Sequence, residues 1–146
     1  MRDPVFFLNT VYIVWAAIET ARRKEDERMK TKLLPKDPYG LVAFAEALVA
    51  VLSKKREDFG IPIDVEVLLR ASIGAATYTT DAYFAVLSGA NQWPEAASYL
   101  AEAKRLRDRS VRQLQRRVTR AIVELRRHTR NRDFAEIAHY VASNAA

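Results

Sequence analysis

Seven arginines carry the most specific chemistry in the chain. Between Lys104 and Arg132 there are 12 basic residues, 11 of them arginine, opposed only by Asp108 and Glu124. If this stretch is helical and Leu114 is set at zero on a wheel of 100° per residue, Arg105, Arg109, Arg112, Arg116, Arg120, Arg127 and Arg130 fall within an arc of about 80°. Asp108 and Glu124 lie outside that arc. At a rise of ~1.5 Å per residue the row is roughly 38 Å long. Like charges at i,i+4, such as Arg105/Arg109, Arg112/Arg116 and Arg116/Arg120, each cost a helix ~0.2–0.5 kcal/mol. A polyanion would relieve that repulsion. Guanidinium groups bind phosphate bidentately, which an ammonium does not. Duplex DNA carries one charge per ~1.7 Å of axis, so a row of this kind suits a phosphate backbone and reads little base sequence. A second basic group, Arg22, Arg23, Lys24, Arg28, Lys30, Lys32 and Lys36, is diluted by Glu25, Asp26 and Glu27. Its acid-free part, Arg28, Lys30, Lys32 and Lys36, is an accessory candidate for the same contact.

Other chemistry finds little support. No cysteine is present, which removes disulfides and Cys-ligated metal sites. Of the two histidines, His139 belongs to a single Glu136-x-x-His139 spacing, whereas di-iron bundles need two such motifs and two further glutamates. His128 lies among arginines and is expected to face solvent or phosphate. Gly40, Gly60, Gly74 and Gly89 form no phosphate loop, and there is no serine elbow. No convergent catalytic set emerges, so the expectation is a non-enzyme without metal, cofactor or small-molecule substrate.

The elements that position the arginines read as all-α, and 146 residues suit one domain. Asp3-Pro4 and Asp37-Pro38 each combine an N-cap with proline at the first helical position. They open helices expected over 4–30 and 38–58, and Gly60 stands where a C-terminal glycine belongs. Asp64 is the expected cap of a third helix over 64–88, whose small residues Ser72, Ala75, Thr79 and Ala82 form a row for close packing. Trp93-Pro94 opens a fourth helix over 94–130, with Leu100, Ala103, Val111, Leu114, Val118, Ala121 and Leu125 facing the core. Asp133 and Glu136 have capping-box spacing for a short last helix over 134–143. The expected fold is a bundle of four main helices plus that terminal one.

The first helix is apolar nearly all round in its first half. Phe6, Phe7, Val11, Tyr12, Val14 and Trp15 are therefore expected at an oligomer contact. The longest uncharged run, Pro4 to Ile18, has 15 residues and is short of the ~20 that a membrane span needs. It lacks the flanks of a cleaved signal peptide, so the expected location is cytoplasmic or within an assembly.

Charge is distributed unevenly. Residues 1–50 carry 8 basic and 7 acidic side chains, residues 51–100 carry 4 and 6, and residues 101–146 carry 12 and 5. The net +6 is thus a property of one helix on a near-neutral scaffold.

An apolar first helix, small-residue packing helices and a long arginine-rich helix, without cysteine, resemble the coat proteins of filamentous and rod-shaped archaeal viruses. That resemblance implies paired identical or sibling subunits enclosing double-stranded A-form DNA in a helical virion. Arg105 to Arg130 would form the phosphate-facing surface. Two other readings remain open. One is a small helical subunit of a CRISPR effector ribonucleoprotein, which exposed aromatics would favour. The other is a helix-turn-helix regulator with Asp133 to Asn144 as recognition helix, although that segment is poor in base-reading donors. A partner protein with an acidic face would also satisfy the arginines.

Overall fold

The structure, a computed structural model, describes residues 34–145. About 88% of them are helical, and no strand occurs among them, so the described chain is all-α. The helices are α1 (Pro38–Phe59), α2 (Ile63–Ala90), α3 (Pro94–Ala97), α4 (Leu100–His128) and α5 (Asn131–Ala145). The expected helix over 4–30 lies outside the described residues.

Helix α1 begins and ends where local chemistry dictates. The Asp37 carboxylate accepts from the Gly40 N–H at 3.1 Å, satisfying one of the orphan donors of the first turn. At the other end Gly60 takes φ 72°, a left-handed conformation that a side chain would oppose, and its N–H bonds the Glu57 carbonyl. Between these caps Leu41, Phe44, Ala45, Leu48 and Leu52 are fully buried. Burial of each large side chain stabilises the fold by roughly 1.5–3 kcal/mol. Helix α1 is central: it packs on α2, α4 and α5.

Helix α2 runs antiparallel to α1, with Tyr39 stacked on Phe84 at one end and Arg56 paired with Glu66 at the other. It starts at Ile63 after Pro62, and no side chain caps it. Asp64 is therefore not the cap; it sits in the first turn and pairs with Arg120. The buried row of α2 is Val65, Leu69, Ser72, Ala76 and Thr80. Of the expected small-residue row only Ser72 is buried; Thr79 and Ala82 are half-buried and Ala75 is exposed.

The expected fourth helix is two helices. The Ser98 hydroxyl donates to the Glu95 carbonyl at 2.6 Å, the acceptor a continuous helix would offer to the Tyr99 N–H. Tyr99 N–H bonds the Ala96 carbonyl instead, one residue short of α-helical register. The helix restarts with Ala103 N–H on the Tyr99 carbonyl. The far end closes when Thr129 turns extended (φ −123°, ψ 158°) and its hydroxyl donates to the Leu125 carbonyl. The last helix begins at Asn131, earlier than its capping-box spacing indicates, and has 15 residues.

Helices α2 and α4 form an antiparallel pair with the most extensive packing in the molecule. Val111, Leu114, Val118, Ala121, Ile122 and Leu125 of α4 enter the core, while Leu100 and Ala103 are only half-buried. From residue 81 to residue 110 no side chain is buried. That stretch, the far end of the α2–α4 pair with α3 at its tip, forms an arm beyond the core.

Candidate nucleic-acid interface

Arg105, Arg109, Arg112, Arg116, Arg120 and Arg127 share α4, whose apolar row against the core points them away from it. Arg130 does not belong with them. It follows Thr129, whose extended backbone ends the helix, and leads into α5. The continuous row is therefore Arg105 to Arg127, interrupted near its end by half-buried Val123, which occupies the same side of the wheel.

Three of the six arginines already have a carboxylate. Arg105 donates to Glu102 at 2.6 Å; this hydrogen bond lowers the Glu102 pKa and raises that of Arg105. Arg120 donates to Asp64 at 2.8 Å and holds the Asp64 carboxyl below its ordinary value. Arg127 meets Glu124 at 3.3 Å. Glu124 also holds His128 at 3.1 Å, and His128 is exposed to solvent. On the α4 wheel Glu124 lies outside the arginine arc, Glu102 lies at its edge one turn before the row begins, and Asp64 belongs to α2. Arginine side chains nonetheless reach acids three residues away, or on the neighbouring helix.

Arg109, Arg112 and Arg116 differ. All three are exposed, and none has an ion-pair or hydrogen-bond partner among the described residues. Arg112 and Arg116 stand at i,i+4, so their repulsion is unrelieved within the described chain. The remaining α4 arginines are otherwise engaged. Arg107 stacks over the Tyr83 ring at 4.0 Å and pairs with Asp108, Arg126 lies over Phe134 at 5.3 Å, and Arg117 lies 2.8 and 3.1 Å from the Gln113 side-chain amide, whose oxygen accepts from it once the amide is turned by 180°.

The free arginines border a groove of about 600 Å³ between α2 and α4, open to solvent on one side. Helix α4 contributes Arg109, Ser110, Arg112, Gln113, Arg116 and Arg117; α2 contributes Leu68, Ala71, Ser72 and Ala75. No acid lines it. Beside it, Val67, Ala71, Gly74 and Tyr78 form an exposed, uncharged face of α2. Sequence reasoning placed the arginines but missed this wall, because which face of α2 lies beside α4 is a tertiary fact.

Most Tyr and Phe residues lie in apolar stretches of the sequence, which tilts against exposed aromatics. Several aromatics are exposed nonetheless: Tyr78 is 76% exposed, Tyr99 65% and Trp93 60%, and Phe84 is also exposed. The phase of the buried row could have signalled Tyr78, which lies about 120° from Ser72 on the α2 wheel.

Of the accessory candidates Lys36 is exposed just before α1, while Arg28, Lys30 and Lys32 lie outside the described residues. The proposed oligomer contacts Phe6, Phe7, Val11, Tyr12, Val14 and Trp15 also lie outside them. Among the described residues no group of three or more His, Asp or Glu is placed to hold a metal ion, and no helix is long and apolar enough to cross a membrane. Comparison with models of known protein families, with curated proteins and with solved structures finds no match.

Proposed function

We propose that the chain is a structural nucleic-acid-coating subunit. It lays the Arg109–Arg116 part of α4 on backbone phosphates without reading bases, and it self-assembles, with itself or a sibling subunit, into a helical filament. The observation that carries this reading is the set of three exposed arginines that, among the described residues, have no carboxylate partner and stand beside a groove that no acid lines. A surface left electrostatically incomplete in this way favours a polyanion. Double-stranded DNA is the ligand of choice, and a virion coat, as in filamentous archaeal viruses, is the setting that fits a small helical scaffold of this design.

Assembly has its own support. No side chain of the arm from residue 81 to 110 is fully buried, and it presents Phe84, Leu87, Trp93, Tyr99 and Leu106 to solvent. Tyrosine and tryptophan in such positions are the residues that anchor protein contacts.

A second reading is supported by the same aromatics. Tyr78 beside the arginine groove would stack a base, as in single-strand binders such as the small helical subunits of CRISPR effectors. Binding to a labelled duplex and to an oligothymidylate of equal length, in the same buffer, separates the two. Tighter duplex binding that is indifferent to sequence, and insensitive to Tyr78→Ala, is expected for the coat. Preference for the single strand, lost in Tyr78→Ala, would favour the second reading. Dependence on one duplex sequence would favour a regulator.

A further inference from the structure

The groove between α2 and α4 has properties that a charged surface alone does not need. Four guanidinium groups, from Arg109, Arg112, Arg116 and Arg117, border it, and among the described residues their one hydrogen-bonding neighbour is the neutral Gln113 amide, beside Arg117. Its opposite wall offers Ala71 and Ala75, whose side chains end at Cβ and leave the arginines accessible from the α2 side. A groove of about 600 Å³ offers more room than a single phosphate fills. Arg109 to Arg116 spans ~10.5 Å along α4, or about three phosphates of one strand at ~3.4 Å of axis each.

We infer that this groove is a seat for a single run of sugar–phosphate backbone, entered by one strand and lined on its far side by the small residues of α2. The inference rests on the nucleic-acid reading and sharpens it: the contact is a recess of defined shape, and chain-linked phosphodiester is its ligand. Ala71 and Ala75 then hold the recess open, and Ser110 adds a hydroxyl donor at its edge. The groups along α4 outside it, Arg105 and Arg127, are peripheral.

Filling the groove without changing its charge tests this. Ala75→Leu and, separately, Ala71→Leu add apolar bulk at exposed helical positions that tolerate leucine. Ala85→Leu, also exposed on α2 but away from the groove, is the control. Each full-length variant is checked for helicity and thermal midpoint, then titrated with a labelled duplex at low salt. Both groove variants should bind roughly tenfold or more weakly, with a shallower salt slope because fewer phosphates are reached. Ala85→Leu should match the parent. Tripolyphosphate should compete poorly against unlabelled duplex of equal phosphate concentration; equal competition would overturn the preference for a linked backbone. If both groove variants bind like Ala85→Leu while Arg112→Gln/Arg116→Gln loses binding, the recess is overturned and the arginine face stands. If the parent itself shows no salt-dependent binding, the nucleic-acid reading falls with it.

Discussion

The salt dependence of duplex binding separates an arginine count from an arginine geometry. Each phosphate neutralised contributes about −0.9 to the slope of log affinity against log salt. If all seven arginines of the sequence row met phosphate, the slope would be about −6.3, and affinity would fall about 6,000-fold between 50 and 200 mM salt. Arg109, Arg112 and Arg116 have no partner among the described residues, whereas Arg105, Arg120 and Arg127 already hold Glu102, Asp64 and Glu124. Three phosphates give a slope of about −2.7 and a fall of about 40-fold over the same range. The assay is fluorescence anisotropy on a duplex short enough for one copy. Arg112→Ala should reduce the slope by about 0.9, and Arg127→Ala should leave it unchanged. A parent slope near −6, or equal effects of the two substitutions, would refute the reasoning that internal ion pairs withdraw arginines from the interface.

Other consequences concern the scaffold. Leu114 is fully buried where α4 enters the core, so Leu114→Ala should cost about 2–5 kcal/mol in denaturant unfolding. The Thr80 hydroxyl is buried with no hydrogen-bond partner among the described residues, so Thr80→Val should raise the thermal midpoint by a few degrees rather than lower it. Tyr39 donates to Asp81, and that hydrogen bond raises its pKa above the ordinary 10.0. Its contribution is complete below pH 10.0 and is lost as pH rises through the raised value; Tyr39→Phe should abolish that part of the alkaline loss of stability. Trp93→Ala with Tyr99→Ala should leave binding to a short duplex intact but reduce assembly on long DNA, read by sedimentation.

What could be read from the sequence was local. Asp37 before Pro38 and Gly60 after Phe59 act through bonds within four residues, and both work as expected. The core face of α4 followed from period alone between Val111 and Leu125. Position 98 was opaque because a serine hydroxyl competing for a backbone carbonyl leaves no compositional mark. Arg130 was misplaced for the same reason: Thr129 bonds back to Leu125 and the helix stops. The site depended on longer range. Asp64 and Arg120 are 56 residues apart, and Ala75 became a groove wall only because α2 turns its buried row through Ala76. A wheel locates arginines on one helix; it does not show what the neighbouring helix sets beside them.

Electron microscopy of the protein mixed with long duplex DNA tests the central claim most directly. Filaments of constant diameter are expected, with the Arg109–Arg116 face of α4 against the DNA. Bare DNA with dispersed particles, or filaments with that face turned to solvent, would contradict that claim.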